Sequence, residues 1–315
     1  MSSSNRIDYS VRQNKAIERS IVFDGLRAVV GVVPEVATSV YVGFGSVWFT
    51  DFHMAHRSLG ILRMVSIEGD AITAHRAEFN RPYRTIEVVE GISSDVIPDL
   101  LSRPELGTIP WISWLDYDQA LDEERIRELD DLVRYLPNNS FLIATFSATG
   151  GRYGKPAQRS EFLSGLLNYG IPLDLDLAVV RDERNLAREI GRLLQDRLVS
   201  VSVDAGREVA IPCFRLCYKD GTPMVTVGVF LPDGGSASGV RELVGGVNWF
   251  GINDEPITTP PLTAREVSAL RALLPAVAPL SRSDVQACGF DLEDDQLEAF
   301  VVHYNRYPTF AQLAF

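Results

Sequence analysis

The chain between residues 40 and 68 has the residue types and the spacing of a nucleotide-binding turn. Gly43-Phe44-Gly45-Ser46 follows a short run of β-forming residues, and Glu68 ends the next such run. Glycine lets the backbone approach a ligand closely, and an acid at a strand tip can accept hydrogen bonds from both ribose hydroxyls. Trp48 replaces the third glycine of the usual pattern, so a tight strand-to-helix turn without a ligand is the alternative interpretation.

The elements around this turn follow from the hydrophobic pattern. Residues 40–42 are typical of a buried parallel strand, and apolar residues recur at near-helical spacing over 48–59. Ser46 is the predicted N-cap of that helix, and Gly60 ends it because glycine reaches the left-handed conformation without strain. The next strand is predicted at 64–67.

Strand and helix alternate as far as residue 147. Further strands are predicted at 85–89, 111–115 and 141–145, with Ser93-Ser94-Asp95 and Asp122 as caps of the intervening helices. This alternation predicts an α/β fold with a Rossmann-like, mostly parallel sheet that is covered on both faces. Ligands of such sheets bind beyond the carboxyl ends of the strands. The candidate residues at those ends are Gly43, Gly45, Glu68, Gly91, Ser94 and Asp116.

The pattern changes after residue 147. Residues 148–157 form a Gly-rich, basic loop typical of a lid, and residues 231–246 are predicted to be a loop. Asp220-Gly221 between two β-forming runs indicates a final antiparallel hairpin. The predicted organisation is an N-terminal helix over the core at 1–35, a Rossmann-like core at 36–147 and 210–232, a helical insertion or lid at 148–209, and a helical C-terminal extension at 233–315.

The composition is that of an ordinary soluble globular protein. No apolar run approaches the roughly 20 residues of a membrane span, and the first residues lack the layout of a signal peptide. The three cysteines suit a reducing cytoplasm and form no zinc pattern. The formal net charge of −12 repels a phosphate backbone, so nucleic-acid binding is not expected. The early basic cluster is predicted to be a solvated helix face and consists of Arg6, Arg12, Lys15 and Arg19.

Several segments carry a resemblance to a known family. They are YSVRQNKAIER (9–19), YVGFGSVWFTDFHMAHRSLGI (41–61), MVSIE (64–68), AEFNRPY (77–83), WLDYD (114–118) and YNRYPTF (304–310). Together they are similar to a bacterial family usually called putative O-methyltransferases. The order of five parallel strands, a helical insertion and a final hairpin also resembles the class I methyltransferases that use S-adenosylmethionine (SAM). The family name implies a cofactor more directly than it implies an acceptor.

The resemblance implies a role for each residue at the strand ends. Gly43-Phe44-Gly45-Ser46 would line the methionine and ribose side of SAM, and Glu68 would bind the ribose hydroxyls. Gly91 and Ser94 would border the adenine. Asp116 would face the methionine amino group or the acceptor.

Methyl transfer from SAM is an in-line displacement in which a neutral thioether leaves. The protein therefore mainly aligns donor and acceptor, and it removes a proton if the acceptor is a hydroxyl. Asp116 and Asp118 are the candidate catalytic residues for that proton, with Tyr117 as an aromatic wall. The alternatives are that Asp118 caps the following helix and that Tyr117 only packs. Asp51 adds negative charge that suits the sulfonium and ammonium of SAM.

Two further pairs lie one helical turn apart. Arg12 and Lys15, on a helix predicted at 9–30, either close over the carboxylate of SAM or face solvent. His53 and His56 have no evident third ligand, so no metal site is predicted and packed or surface histidines are favoured.

The sequence thus predicts a SAM-dependent methyltransferase in the cytoplasm, acting on a small-molecule or protein acceptor. A homodimer or a partner protein is compatible with this function. The first alternative is a non-catalytic SAM- or nucleotide-binding component of a multi-protein bacterial system. The second is a nucleotide-dependent oxidoreductase, against which the two-glycine turn and the antiparallel hairpin count.

Overall fold

A computed structural model describes residues 12–167 and 179–308. These residues form a seven-stranded sheet of β1 (Val40–Gly43), β2 (Arg63–Glu68), β3 (Ile86–Glu90), β4 (Trp111–Asp116), β5 (Ser140–Ser147), β6 (Ile211–Lys219) and β7 (Pro223–Leu231). The strand order is β3-β2-β1-β4-β5-β7-β6. The strands β1 to β5 pair in parallel, and β7 pairs antiparallel with both β5 and β6. The prediction of a mostly parallel sheet with a final antiparallel hairpin is therefore confirmed.

Helices precede the first strand, connect most of the strands and follow the last one. The helices of the described residues are α1 (Gln13–Val30), α2 (Thr50–Leu59), α3 (Ala71–Asn80), α4 (Ser93–Ser102), α5 (Glu123–Tyr135), α6 (Arg159–Leu166), α7 (Glu183–Asp204), α8 (Ala237–Val244), α9 (Ala264–Arg271), α10 (Arg282–Ala287) and α11 (Asp294–His303). Within the described ranges, no helix is long and apolar enough to cross a membrane.

Two apolar layers enclose the sheet, one on each face. Val40 and Val42 pack in the layer that contains residues of α4, α5 and α7. Tyr41, between them, packs in the layer that contains residues of α1, α2, α9 and α11. Successive side chains of a strand point to opposite faces, so β1 is buried on both sides, as its continuous apolar run predicts.

Polar side chains fix the ends and the positions of several helices. The Asp122 carboxylate accepts from the Arg125 amide at 2.9 Å and caps α5, as predicted. A buried ion pair joins α7 to α5, because Arg197 donates to both oxygens of Asp130 at 3.0 and 2.6 Å.

Two predicted caps are wrong. The helix α2 begins at Thr50, with Phe49 at its N-cap position and no capping side chain. Ser46 lies earlier in the turn with a φ of 51°, and Phe49 has a φ of 48°. Phe49 is thus the second left-handed residue of the turn, and its ring is buried. Because burial of the ring keeps Phe49 in this conformation, the helix begins only at Thr50. The segment Ser93-Ser94-Asp95 forms the first turn of α4 itself, preceded by Ile92.

Other differences lie in the second half of the chain. The predicted loop at 231–246 contains the helix α8, whose buried Ala237 and Val240 give it a packed side. The predicted lid at 148–157 stays a prediction; its Tyr153 is buried and donates to the Ser147 carbonyl at 2.7 Å. The start of the predicted 9–30 helix, part of the predicted helical insertion at 148–209 and the end of YNRYPTF lie outside the described residues.

Candidate functional site

A cavity of about 830 Å³ opens at the carboxyl ends of the parallel strands. This volume lies toward the upper end of the range of ligand pockets, roughly 300–1,000 Å³. The predicted site residues that line it are Phe44, Gly45, Ser46, Asp51, Glu68, Gly91, Ser94, Asp116, Tyr117 and Asp118. The structure therefore brings together residues that follow four different strands.

The two glycines of the turn have different positions. Gly43 does not line the cavity; a Cβ there would lie 2.8 Å from the Trp114 carbonyl oxygen, where β1 and β4 approach each other. Gly45 lines the cavity, and its amide donates to Ser66 Oγ at 2.9 Å. A Cβ on Gly45 would lie 2.5 Å from that oxygen and 2.6 Å from the Phe49 ring. Gly43 thus serves strand packing, and Gly45 brings the bare backbone to the cavity.

Glu68, at the tip of β2, is held by the glycine turn. Its Oε1 accepts from the Ser46 amide and from the Ser66 hydroxyl, each at 2.9 Å. No described residue donates to Oε2, and the side chain lines the cavity. Burial raises the pKa of Glu68 to about 7, although the hydrogen bonds from Ser66 and Ser46 oppose that shift. One oxygen is anchored, and the other is available to a ligand.

The β3 side of the cavity is formed by backbone and aromatic groups. Gly91 has a φ of 147°, and its amide donates to the Glu68 carbonyl at 2.9 Å. The rings of Phe44 and Tyr117 meet edge to face at 5.6 Å. The Tyr117 hydroxyl donates to Glu128 Oε2 at 2.8 Å. Tyr117 also hydrogen-bonds the side chain of Ser93, the first residue of α4 after β3, so it reaches this side of the cavity.

Glu128, on α5, was not predicted as a site residue. It lines the cavity, and its Oε1 is buried with no close hydrogen-bond partner among the described residues, although Ser93 lies near enough to lower the pKa of the carboxyl. Burial raises the pKa of this carboxyl. In the sequence, Glu128 is one of several acids on an amphipathic helix, and no local signal distinguishes it.

Asp116 marks the opposite end of the cavity and is paired with α1. Its Oδ2 accepts a hydrogen bond from Lys15 Nζ, whereas Oδ1 is buried and has no partner among the residues that the structure describes. Lys15 is buried and does not line the cavity, and Arg12, at the start of α1, also lies outside the lining. The solvent-facing alternative is thus wrong for Lys15. Asp118 lines the cavity and does not cap α5, because Asp122 has that role.

Two basic residues of α1, Lys15 and Arg19, are buried for a structural reason. The Asp220 carboxylate, in the β6–β7 turn, accepts from the amides of Asn14 and Lys15 at 3.1 and 2.8 Å and so caps α1. This contact packs α1 against the hairpin. Lys15 and Arg19 are buried as a result, and the prediction of a solvated face is wrong for both. Arg19 lines the cavity.

Asp51 connects this end of the cavity to the sheet. The Tyr41 hydroxyl donates to Asp51 Oδ2 at 2.6 Å. Burial raises the pKa of Asp51, and the nearby Arg19 guanidinium opposes the shift. Asp51, Asp116 and Arg19 thus form a charged end, whereas the β3 side is aromatic.

The two histidines of α2 pack against one tyrosine. His53 Nδ1 lies 3.1 Å from the Tyr83 hydroxyl, and the His56 and Tyr83 rings lie 4.3 Å apart. Over residues 12–167 and 179–308, no group of three or more His, Cys, Asp or Glu side chains is placed to hold a metal ion.

Solved structures with a similar arrangement include several methyltransferases. An O-methyltransferase from Bacillus cereus in complex with S-adenosylhomocysteine (SAH) has 14% identity and a TM-score of 0.39, over 66% of this chain and 80% of its own. The O-methyltransferase TomG from Streptomyces achromogenes in complex with SAM has 14% identity and a TM-score of 0.36, over 71% and 91%. Trm1 from Pyrococcus horikoshii with SAM has 10% identity and a TM-score of 0.46, over 72% and 57%.

Sequence comparison gives the family directly. No curated protein matches the chain. A protein family described as putative O-methyltransferase matches residues 7–315, which is nearly the whole sequence. The chain belongs to this O-methyltransferase family.

Proposed function

We propose that the chain binds SAM in the cavity at the strand ends and transfers its methyl group to an acceptor. The observation that carries this proposal is the position of Glu68. Its anchored carboxylate lies between the Gly45-Ser46 turn and the Gly91 turn and directs one oxygen to the same cavity. A carboxylate so placed accepts hydrogen bonds from ribose hydroxyls.

The strand order supports a direction for the cofactor. Glu68 on β2 holds the ribose, the β3 side receives the adenine, and the β1 and β4 ends receive the methionine part. Gly91, Phe44 and Tyr117 offer the adenine a backbone turn and an aromatic wall. Glu128 Oε1, which has no close hydrogen-bond partner within the described part of the chain, is the acceptor for the adenine amino group. This contact satisfies a buried oxygen that otherwise costs stability.

The charged end suits the positive groups of SAM. Asp116 Oδ1 accepts from the methionine ammonium, and Asp51 adds negative charge near the sulfonium. Arg19, which borders the same end, pairs with the methionine carboxylate. The protein then mainly holds donor and acceptor in line, since the leaving thioether is neutral. Asp116 and Asp118 remain candidates for contacts with the acceptor.

Calorimetric titration of the full chain with SAM, SAH and NAD tests this function. We expect saturable one-to-one binding of SAM and SAH and no heat of binding with NAD. Binding of NAD in preference to SAM would favour the oxidoreductase alternative. Release of SAH in the presence of candidate acceptors then separates a methyltransferase from a non-catalytic SAM-binding component.

A further inference from the structure

Glu68 is a buried carboxyl that no cation accompanies. The residue is only 5% exposed, although its side chain lines the cavity. Within residues 12–167 and 179–308, no Lys, Arg or His side chain forms an ion pair or a hydrogen bond with it. An unpaired carboxylate is costly to bury, so a carboxyl in this position keeps its proton to a higher pH than an exposed one.

Two further acids lie near Glu68 on neighbouring elements and oppose its ionisation. Asp51, on α2, and Asp70, which precedes α3, both line the cavity, and their charges disfavour a charge on Glu68. Asp70 caps α3 through hydrogen bonds from the Ile72 and Thr73 amides at 3.1 and 3.0 Å. The hydrogen bonds from Thr73 hold the pKa of Asp70 below its usual value. Asp70 therefore stays charged at neutral pH and acts on Glu68 as a fixed negative charge.

The described donors to Glu68 reach only one of its oxygens. The Ser46 amide and the Ser66 hydroxyl donate to Oε1, and Ser66 Oγ in turn accepts from the Gly45 amide at 2.9 Å. These hydrogen bonds favour the charged form, but burial outweighs them and raises the pKa of Glu68 to about 7. Without a ligand, the carboxyl is therefore about half protonated at neutral pH. Oε2, to which no described residue donates, is the oxygen that holds the proton.

A bound cofactor changes this balance. Under the proposed function, the ribose hydroxyls donate to Glu68, and donors to a carboxyl favour its charged form. SAM also brings a positive sulfonium, which acts in the same direction. A protonated Oε2 would itself be a donor, so it would compete with a ribose hydroxyl at the same oxygen. The complex therefore favours the carboxylate, whereas the free protein holds a proton.

We infer that Glu68 loses a proton when SAM or SAH binds, so that the affinity for the cofactor depends on pH near neutrality. The inference rests on the proposed function and adds a regulatory property to the same site. The Oε2–H bond breaks, its electron pair stays on the carboxylate, and the proton passes to the buffer. The step needs no further reactant.

The sign of the effect follows from the two states of Glu68. Its pKa is high in the free protein and lower in the complex, so binding releases the proton below about pH 7 and the affinity falls as the pH falls. Above about pH 8 the carboxylate is already ionised, and the affinity stays constant. With a pKa of about 7, SAH should bind about tenfold more weakly at pH 6 than at pH 8.

Calorimetric titration of the full chain with SAH at pH 6, 7 and 8 measures this coupling. Titrations in phosphate and in imidazole buffer, whose ionisation enthalpies differ, give the number of protons released. We expect about 0.9 proton at pH 6 and about 0.1 proton at pH 8 for the wild type. SAH binding with a pH-independent affinity and no proton release would overturn the inference and leave the cofactor site in place.

The substitution Glu68→Gln tests whether this residue is the source of the proton. Glutamine keeps an oxygen for the Ser46 amide and the Ser66 hydroxyl but has no proton to lose. The variant should bind SAH more weakly than the wild type at pH 8, with equal affinity at pH 6 and no proton release. Glu90→Gln, which removes an exposed carboxylate opposite Glu68 on β3 and outside the cavity lining, is the matched control and should keep the wild-type pH dependence. Proton release that persists in Glu68→Gln would contradict the inference.

The substitution Ser66→Ala gives a second test that a general loss of structure does not reproduce. The change removes one donor that stabilises the charged form of Glu68. The pH at which the SAH affinity is half its maximum should therefore move above about 7, and an unchanged midpoint would contradict the inference. Circular dichroism shows whether each variant is folded, and Ser66→Ala alone decides if Glu68→Gln does not fold or bind. If the wild type binds SAH at no pH, the proposed function fails instead.

Discussion

The substitution Glu68→Ala tests the cofactor site at its most specific contact. The change removes the oxygen that faces the cavity and also the Oε1 bonds that hold the Ser46 amide and the Ser66 hydroxyl. A hydrogen bond to a charged group contributes about 1.5–3 kcal/mol. At the lower end of that range, loss of one such bond to the ribose weakens binding about tenfold, and loss of two weakens it about 100-fold, since about 1.4 kcal/mol is a factor of ten.

Glu90→Ala is the matched control for that variant. Glu90 pairs with Glu68 in the register of β2 and β3, but it is exposed and lies outside the cavity lining. We expect calorimetry at one pH and salt concentration to give wild-type SAH affinity for Glu90→Ala and a loss of about 10- to 100-fold for Glu68→Ala. Equal SAH affinity of the two variants would remove Glu68 from the cofactor site and refute the reasoning.

Three further predictions concern catalysis, pH and stability. Asp116→Asn keeps an oxygen for Lys15 but loses the charge that we propose faces the cofactor, so we expect a folded protein that releases no SAH with an acceptor that the wild type methylates; full activity would make Asp116 structural. Glu18 is buried on α1, and burial raises its pKa from 4.5 to about 7 in the folded protein. The free energy of unfolding should therefore fall by about 3 kcal/mol as the pH rises from 4.5 to 7. Urea unfolding at a series of pH values should show that the free energy of unfolding depends less on pH in Glu18→Gln than in the wild type. Equal pH dependence in the two proteins would contradict this. Arg197→Ala leaves the buried Asp130 charge unpaired and should lower the free energy of unfolding by about 3–5 kcal/mol; a loss below about 1 kcal/mol in urea would contradict the burial argument.

The periodic parts of the fold are predictable from local pattern. The strand at 111–115 and the amphipathic helix capped by Asp122 are found where they were predicted. Burial on both faces of the sheet requires a continuous apolar run, and a side-chain cap requires a particular residue type before the helix, so both can be recognised in the sequence. The α2 start is not predictable in this way. It depends on Phe49, whose buried ring holds a left-handed residue in the turn. Local propensity does not register such a tertiary contact.

The candidate site shows the same division. The position of Glu68 and Gly45 at the cavity is predictable because neighbouring residues alone show that each follows or ends a strand and because the residue types suit a ligand. Lys15 and Arg19 are not, since their burial depends on Asp220, about 200 residues away along the chain, which caps α1 from the hairpin turn. Glu128 is likewise found only in three dimensions, because its place in the cavity wall depends on its contact with Tyr117 and on burial. Such long-range packing has no signal in a single sequence.

The most direct test of the cofactor site is a diffraction structure of the full chain co-crystallised with SAH. We predict that the ribose hydroxyls lie within hydrogen-bond distance of Glu68, with the adenine beside Gly91 and the amino-acid end beside Asp116. SAH bound elsewhere, or bound in this cavity with its ribose away from Glu68, would contradict the account.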